Sequence, residues 1–411
     1  MATTTASITT SPLHTAYETA RDYLLDQRQG RNHWTGQLAA SSLSTATAIS
    51  TLALVRQHYQ AAANEQADLP TINQLSQTID NGLAWLTNHQ NQDGGWGDTN
   101  LSYSNIATTL LVIAAFKLAD QESSNVKLLQ AAQKYVDNIG IEEGLRKRYG
   151  KDKTFAIPIL ANAALAGMVP WKKVAALPFE LACFPNAVYR FLRLPVVSYA
   201  IPALVAIGQA RFFHRRPRNP LTWLVRKLTV NKSLRVLQRI QPTSGGYLEA
   251  IPLTSFVAMS LAATGRAHHP VTTQGVKFLM STVCDDGSWP IDSDLATWNT
   301  SLAIKALDQN EADVATLDAT TWLLSCQHTE RHPYTGADPG GWGWSNLSGA
   351  VPDCDDTPAA LLALDAIRRS DSFSTIDFPQ LTTGAMAGIK WMLSLQNRDH
   401  GWPTFCRGWG T

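Results

Sequence analysis

One turn unit recurs along this chain and restricts the folds that it can adopt. An apolar helical end with an aromatic residue leads into a polar turn with Asp and Gly, and the turn ends in Trp. Glycine ends helices and accepts positive φ angles, and a Gln amide can donate to unpaired helical carbonyls. The unit therefore predicts helices stapled together at their ends. Four copies share an eleven-residue spacing and a fifth carries an insertion: Tyr23 to Trp34, Trp85 to Trp96, Phe278 to Trp289, Trp391 to Trp402 and Trp322 to Trp342.

Ala- and Leu-rich runs with helical periodicity follow most of these turns, as at residues 106–118, 295–307 and 357–367. Strand-like alternation is nearly absent. The pattern predicts an all-α protein built from helical hairpins, arranged as α/α barrels. An open α-solenoid is the alternative that the same pattern allows.

Composition excludes several functional classes. The 411 residues carry 34 Lys and Arg against 33 Asp and Glu, and this balance argues against a nucleic-acid-binding protein. The five cysteines are scattered and form no CxxC pair, so neither a zinc ribbon nor a disulfide framework is indicated. A reducing compartment follows as the expected location.

An apolar stretch, residues 195–208, contains no charged side chain and two prolines. It is too short to span a bilayer, which takes about 20 residues. Arginines precede it at 190 and 193 and follow it at 211, 215, 216 and 218. Residues 190–218 therefore fit a segment that enters one leaflet and is held by anionic headgroups, or alternatively an ordinary buried helix beside a basic loop.

The segment VPDCDDTPAALLAL, residues 351–364, places Asp353, Asp355 and Asp356 where a helix should begin. Acids at that position cap free N–H groups, which would account for one or two of them. Crowded carboxylates also hold one another's protons, which suits a general acid. Metal binding is the rival use of clustered Asp, but no His or Cys set with zinc spacing lies nearby.

The DCDD motif together with the Gln/Gly/Trp turns resembles the squalene–hopene cyclases, which belong to the class II terpene cyclases. The similarity extends over almost the whole chain, including residues 23–50, VPWKKV at 169–174 and LATWNTSLA at 295–303. The resemblance implies that Asp355 donates a proton to an alkene of squalene or a related long isoprenoid. Asp353 and Asp356 would polarise the donor, with no metal and no cofactor.

The same resemblance implies further site residues. Trp171, Trp298 and Trp344 would line the cavity, and Phe405 would stand where the family places an aromatic residue. Aromatic faces stabilise cations by about 0.5–2 kcal/mol each and offer no lone pair to quench them. Since the implied substrate is a membrane hydrocarbon, the chain is expected to be peripheral or monotopic on the cytoplasmic side of a membrane.

Two positions depart from the family pattern. The family usually has Trp-Asp-Thr where this chain has Trp298-Asn299-Thr300, and Gly-Glu where it has Gly36-Gln37. Asn299 can bind water or substrate but cannot carry a proton, so reprotonation of the donor is expected to differ.

The resemblance also implies a domain plan. Residues 1–35 and 298–411 would form the catalytic barrel, and residues 36–297 an inserted barrel with the membrane-contacting segment. Family members are longer, so the second barrel is expected to be incomplete and the chain to show little activity alone, with a missing C-terminal half or a homodimer as partner. The alternatives are a degenerate barrel that binds a lipid or a protein, a zinc-dependent prenyltransferase-type barrel, and a class II cyclase of a diterpenyl diphosphate.

Overall fold

The computed structural model describes residues 12–30, 32–62, 69–150, 154–184, 201–308, 314, 318–333, 335–370 and 378–405. Over these residues it contains α-helices, short 3-10 turns and isolated bridges but no strand, which confirms the all-α prediction. The helices are α1 (Pro12–Asp26), α2 (Ser42–Ala62), α3 (Ile72–Asn88), α4 (Ile106–Leu118), α5 (Val126–Ile139), α6 (Ile141–Tyr149), α7 (Ala156–Leu165), α8 (Ile201–His214), α9 (Pro220–Ile240), α10 (Ile251–Ala262), α11 (Pro270–Ser281), α12 (Ala296–Leu307), α13 (Thr320–Ser325), α14 (Asp356–Arg369) and α15 (Phe378–Leu395).

Five helices form a closed inner ring. Helix α2 contacts α4, α4 contacts α7, α7 contacts α8, α8 contacts α10, and α10 returns to α2. An outer layer packs on them, with α3 against α2, α5 against α4, α9 against α8 and α11 against α10. Because the last inner helix meets the first, this part of the chain is an α/α barrel and not an open solenoid.

The two layers differ in the residues that they bury. Inner helix α4 buries twelve of its thirteen residues, so it needs apolar or small side chains on every face. Outer helix α3 buries one stripe that includes Leu75, Ile79, Leu83 and Leu86, and its polar residues face solvent. The sequence therefore determines the layer of a helix through the width of its apolar face.

The turn units fasten the layers together in one recurring way. In the second unit the Trp96 indole N–H donates to the Leu86 carbonyl at 2.8 Å, and the Trp96 backbone N–H donates to Thr109 Oγ1 at 3.1 Å. The first bond reaches a carbonyl at the end of the preceding helix, and the second reaches the next inner helix. The same ring-to-carbonyl bond occurs at Trp34, Trp289, Trp342 and Trp402.

The Gln of the turn has a different partner from the expected one. Gln90 Nε2 donates to the Gly94 carbonyl in its own turn and to the Leu128 carbonyl of α5, rather than to the end of the helix before it. Gln241 and Gln327 reach the next outer helices in the same manner. The amide thus ties each turn to the outer helix that follows.

A further core joins the first segment of the chain to its C-terminal part. Trp34 packs with Ile304, Leu323 and Leu364, and its backbone N–H donates to Thr300 Oγ1 at 2.9 Å. Inner helices α12 and α14 contact each other here, and α15 packs on α14. These helices form a second group of helical hairpins beside the five-helix ring. The boundaries at residues 35 and 297 stay a prediction.

The apolar segment predicted to contact a membrane lies partly outside the described residues, which omit 185–200. Its remainder forms α8, which buries Val205, Ala206 and Ile207 in the inner ring. For residues 201–208 the buried-helix alternative therefore describes the structure. Among the described helices, none combines the length and the apolar character needed to cross a bilayer.

Candidate active site

The three aspartates of the acid motif have three different environments. Asp353 is 2% exposed, and its Oδ1 accepts hydrogen bonds from the backbone N–H groups of Asp355 at 2.8 Å and Asp356 at 2.7 Å. It therefore caps the first turn of α14, as acids before a helix commonly do. The helix-capping interpretation of the motif accounts for this residue and leaves the other two.

Asp356 is 4% exposed and lies beside Asp353. Burial, followed by the neighbouring Asp353 carboxyl, raises the pKa of Asp356 far above the ordinary range of an aspartic acid. Burial also raises the pKa of Asp353, while its hydrogen bonds from Asp356 and from the backbone oppose that rise. Both shifts favour the protonated form, so a proton is shared within the Asp353–Asp356 pair.

Asp355 points the other way. Its side chain is exposed in the described part of the chain, because the chain turns Asp353 and Asp356 inward on either side of it. The sequence-based expectation placed this carboxyl in a closed, water-poor chamber, and the described residues do not enclose it. Its role as proton donor stays a prediction.

Three of the four predicted aromatic residues are linked to the acid motif. Trp344 and Phe405 form an edge-to-face pair with ring centroids 6.5 Å apart, and the Trp298 backbone N–H donates to the Trp344 carbonyl at 3.1 Å. The Cys354 N–H donates to the Thr404 carbonyl at 2.9 Å, which brings Phe405 next to the aspartates. Such rings can stabilise a cation formed near the motif.

Trp171 lies against the first ring instead. Its ring stacks on His214 of α8 at 4.6 Å between centroids, and it packs on the barrel core. Trp344 and Phe405 belong to a different core, at the junction of the two parts, with Val351, Tyr247 and Phe179. The described contacts thus join Trp298, Trp344 and Phe405 but place Trp171 with another set of residues.

Of the two departures from the family pattern, Asn299 lies against Gly36, the residue before Gln37, whereas the Gln37 side chain has a different partner. A Cβ atom on Gly36 would lie 2.5 Å from Asn299 Nδ2, and the Leu295 N–H donates to the Gly36 carbonyl at 2.9 Å. Gln37 reaches Cys284 Sγ at 3.3 Å. Asn299 is therefore packed on the first segment of the chain, where glycine leaves room for it.

A second set of acids was not found from the sequence. Glu249 is fully buried, and burial raises its pKa to about 7. Burial likewise raises the pKa of Asp292, to about 6, and Asp292 pairs through its backbone with Ala250. The only sequence signal was one acid inside the apolar stretch LEAIPL, residues 248–253. A single acid of this kind is also typical of many solvent-exposed turns.

A cavity of about 550 Å³ lies between the turn after α13 and helix α15. His328 lines it, and burial lowers the pKa of this imidazole to about 4, so that the ring is neutral at pH 7. The described lining includes none of the three aspartates. The cavity is therefore separate from the acid motif.

Comparison with known proteins identifies the family. The squalene-hopene cyclase N-terminal domain matches residues 17–222, and the squalene-hopene cyclase C-terminal domain matches residues 295–409. The chain belongs to the squalene–hopene cyclase family. It is thus a class II terpene cyclase by family, as the DCDD motif and the turn units indicated.

The similar proteins are distant in sequence and longer than this chain. Sporulenol synthase of Bacillus subtilis is 26% identical over 59% of this chain and 44% of its own length. Squalene–hopene cyclase of Alicyclobacillus acidocaldarius is 24% identical over 78% of this chain and 56% of its own length. Abietadiene synthase from Abies grandis gives a TM-score of 0.46 at 15% identity, covering 97% of this chain and 44% of that one. The matches cover between 32% and 66% of the length of the curated relatives.

Proposed function

We propose that this cyclase initiates the ring closure of squalene or a related long isoprenoid by protonating an alkene with Asp355. The observation that supports this most directly is that the three aspartates differ in burial and in hydrogen bonding. Asp353 accepts the backbone N–H groups at the helix start and Asp356 is buried beside it, which leaves Asp355 as the accessible acid of the motif. An accessible acid is the one that a hydrocarbon can reach.

The proposed step transfers one proton and no metal is involved. The Asp355 O–H bond breaks, and the π electrons of the terminal alkene form a C–H bond to the transferred proton. The other carbon of that alkene becomes a tertiary carbocation. Successive π bonds of the substrate then attack the cation, and loss of a proton or capture of water ends the cascade. Asp355 is left as a carboxylate at the positive end of the α14 dipole, which stabilises it.

Trp344, Phe405 and Trp298 supply the cation-stabilising surface in this proposal. Their faces attract positive charge without forming a bond to it. Asn299, next to Trp298, can bind a water molecule but cannot pass on a proton. Reprotonation of Asp355 then requires a proton source other than residue 299.

The reaction also needs cover over that exposed side. Leu302 of α12, Leu362 of α14, Leu393 of α15 and Trp402 are 47%, 53%, 59% and 46% exposed. These side chains accept a further helical layer in our proposal, from the remainder of a longer polypeptide or from a second copy. The 411-residue chain alone is then expected to turn over slowly.

The first experiment measures cyclisation by the purified 411-residue chain in detergent with squalene, and separately with geranylgeranyl diphosphate. Asp355→Asn should abolish product formation, a loss of about 10²–10⁴-fold for a general acid, whereas Asp285→Asn, an exposed acid in the first barrel, should not. Retained cyclisation in Asp355→Asn would refute the donor. Product from the diphosphate alone would refute the substrate class.

A binding measurement covers the case of slow turnover. A long isoprenoid amine carries an ammonium charge that mimics the carbocation, and such mimics bind cyclising sites tightly. Asp355→Asn and Trp344→Ala should each weaken its binding, and Asp285→Asn should leave it unchanged. Equal affinity in all four proteins would contradict a cation site at this motif.

We also propose that helix α9 lies on a membrane surface. Its N-terminal half exposes Leu221 at 67%, Leu224 at 46% and Leu228 at 72%. The helix carries five Lys and Arg residues and no acid, and Lys227 lies over the Trp223 ring at 4.8 Å. A basic helix with exposed leucines is typical of binding to anionic bilayers, the source expected for a hydrocarbon substrate.

A further inference from the structure

The segment between Trp344 and Val351, residues 345–350, is held at both ends by side chains from the turn before α10 and from the residues that lead into α12. At its start, the Ser345 hydroxyl donates to Asp294 Oδ1. At its end, the Gly349 N–H donates to Glu249 Oε1 at 2.9 Å. We call Glu249, Ser244 and Asp294, with the segment that they hold, the acid clasp.

Glu249 is the central residue of the acid clasp. Its Oε1 also accepts from the Ser244 hydroxyl at 2.8 Å, and its backbone carbonyl accepts from the Ser293 N–H at 3.2 Å. A Cβ atom at position 349 would lie 2.4 Å from Oε1, so only glycine allows the carboxyl so close to the chain. The contact therefore depends on glycine at position 349.

The backbone at Glu249 is unfavourable for the residue that occupies it. Leu248 and Glu249 have φ angles of 59° and 52°, in the left-handed region where side chains are disfavoured. Glycine would adopt that conformation readily. A fully buried acid in a strained turn persists only where its contacts hold it, and such outliers concentrate at functional sites.

The segment that the clasp holds connects two parts of the candidate site. It follows Trp344 directly and leads into Val351, which packs with Trp344 and Phe405 in the junction core. Two residues later the Asp353 N–H donates to the Trp342 carbonyl at 3.0 Å. Movement of this segment would therefore displace the Trp344 ring relative to the aspartates.

We propose that Glu249 is a positioning residue that fixes the Trp344 ring beside the acid motif through Gly349. It makes no contact with substrate and acts only through the segment 345–350. The consequence for catalysis rests on the proposed function, because it assumes that Trp344 lines the cyclisation site. The positional claim itself does not depend on turnover.

The test follows the position of one ring. The protein is prepared with 5-fluorotryptophan, and its ¹⁹F spectrum is assigned by the loss of one line in Trp344→Phe. Glu249→Ala should shift the Trp344 line and leave the Trp96 line in place, whereas Glu249→Gln should restore it, since the amide oxygen still accepts from Gly349. Glu249→Gly relieves the backbone strain but should shift the line as Glu249→Ala does.

The control for general destabilisation is Asn162→Ala, which removes a buried side chain of α7 that bonds Ser50. It should lower the melting temperature without moving the Trp344 line. The proposal is overturned if Glu249→Ala leaves that line unmoved, or if Asn162→Ala moves it equally. Where turnover is measurable, Glu249→Ala should alter the product ratio more than the KM. A shifted line together with equal isoprenoid-amine affinities in wild type, Asp355→Asn and Trp344→Ala would contradict the proposed function and keep the positional claim.

Discussion

At the scale of single residues, an acid that is buried with no cationic partner in the described part of the chain affects stability directly. Burial raises the pKa of Glu249 to about 7, and Asp292 and Asp294 face it as further acids. In the unfolded chain this carboxyl has its ordinary value of 4.5. Between those values the folded protein keeps a proton that the unfolded chain has released, so folding stability falls as pH rises.

We therefore predict that wild type loses about 3 kcal/mol of unfolding free energy relative to Glu249→Gln between pH 4 and pH 8. The loss should begin near pH 4.5 and level off above pH 7. Asp292, Asp353 and Asp356 shift in the same direction and are common to both proteins, so the difference isolates Glu249. Urea unfolding at several pH values measures it, and parallel curves would contradict the burial of an uncompensated acid.

The three aspartates could be predicted from the sequence, but which of them is buried and which is exposed could not. Acids at a helix start are visible as a pattern, whereas which carboxyl turns inward depends on the backbone path after Trp342. Glu249 was out of reach for another reason. Its partners Ser293 and Gly349 lie 44 and 100 residues away along the chain, and no local pattern reports contacts at that distance.

At the scale of elements, the turn unit was predicted from its Trp residues. A further copy, which has Tyr247 in place of Trp, was therefore not predicted. Tyr247 follows Val236 by eleven residues, its hydroxyl donates to the Leu237 carbonyl at 2.9 Å, and its N–H donates to Thr254 Oγ1 at 2.9 Å. The phenol O–H takes the place of the indole N–H. The chemistry of the unit is thus a ring with a polar edge, which a search for Trp alone does not detect.

Hydropathy also identified an apolar stretch, but it could not show whether another helix or a membrane covers that stretch. Residues 201–208 are buried by α10, whereas the exposed apolar residues come later, on α9. The difference arises because inner helices are apolar on all faces, so their hydropathy exceeds that of a surface helix. The charge pattern of α9 and its exposed leucines are therefore the features on which our membrane proposal rests.

For α9 we predict that Leu221→Gln and Leu228→Gln together weaken binding to vesicles of anionic lipid by at least tenfold. Each exposed leucine that enters the bilayer contributes about 1.5–3 kcal/mol, and neither change should affect folding, since both side chains are largely exposed. Leu101→Gln is the matched control, because Leu101 is 93% exposed on the loop between α3 and α4. Vesicle sedimentation measures the affinity. Equal losses from the control, or none from the pair, would exclude α9 as the membrane contact.

At the scale of the whole molecule, the first barrel depends on a junction between distant parts of the chain. The Trp289 backbone N–H donates to Thr45 Oγ1 at 3.0 Å, and the two residues are 244 positions apart in the chain. The Ser41 backbone N–H donates to the Trp289 carbonyl at 2.9 Å. The bond from Trp96 to Thr109 has the same chemistry across 13 residues. Closing the longer loop costs about 2–3 kcal/mol more in chain entropy, so this junction should be the first to open.

Thr45→Val and Thr109→Val provide a matched pair, since each removes one fully buried hydroxyl. Each also leaves one tryptophan backbone N–H, that of Trp289 or of Trp96, unpaired. Both should lower stability by about 1–3 kcal/mol. We predict that only Thr45→Val opens the ring below the global unfolding transition. Hydrogen exchange should then rise in both α2 and α11, the two elements on either side of the junction, while Thr109→Val raises exchange around α4 alone. A local response to both substitutions would mean that the barrel is held by each helical hairpin separately, and that its closure adds no cooperativity.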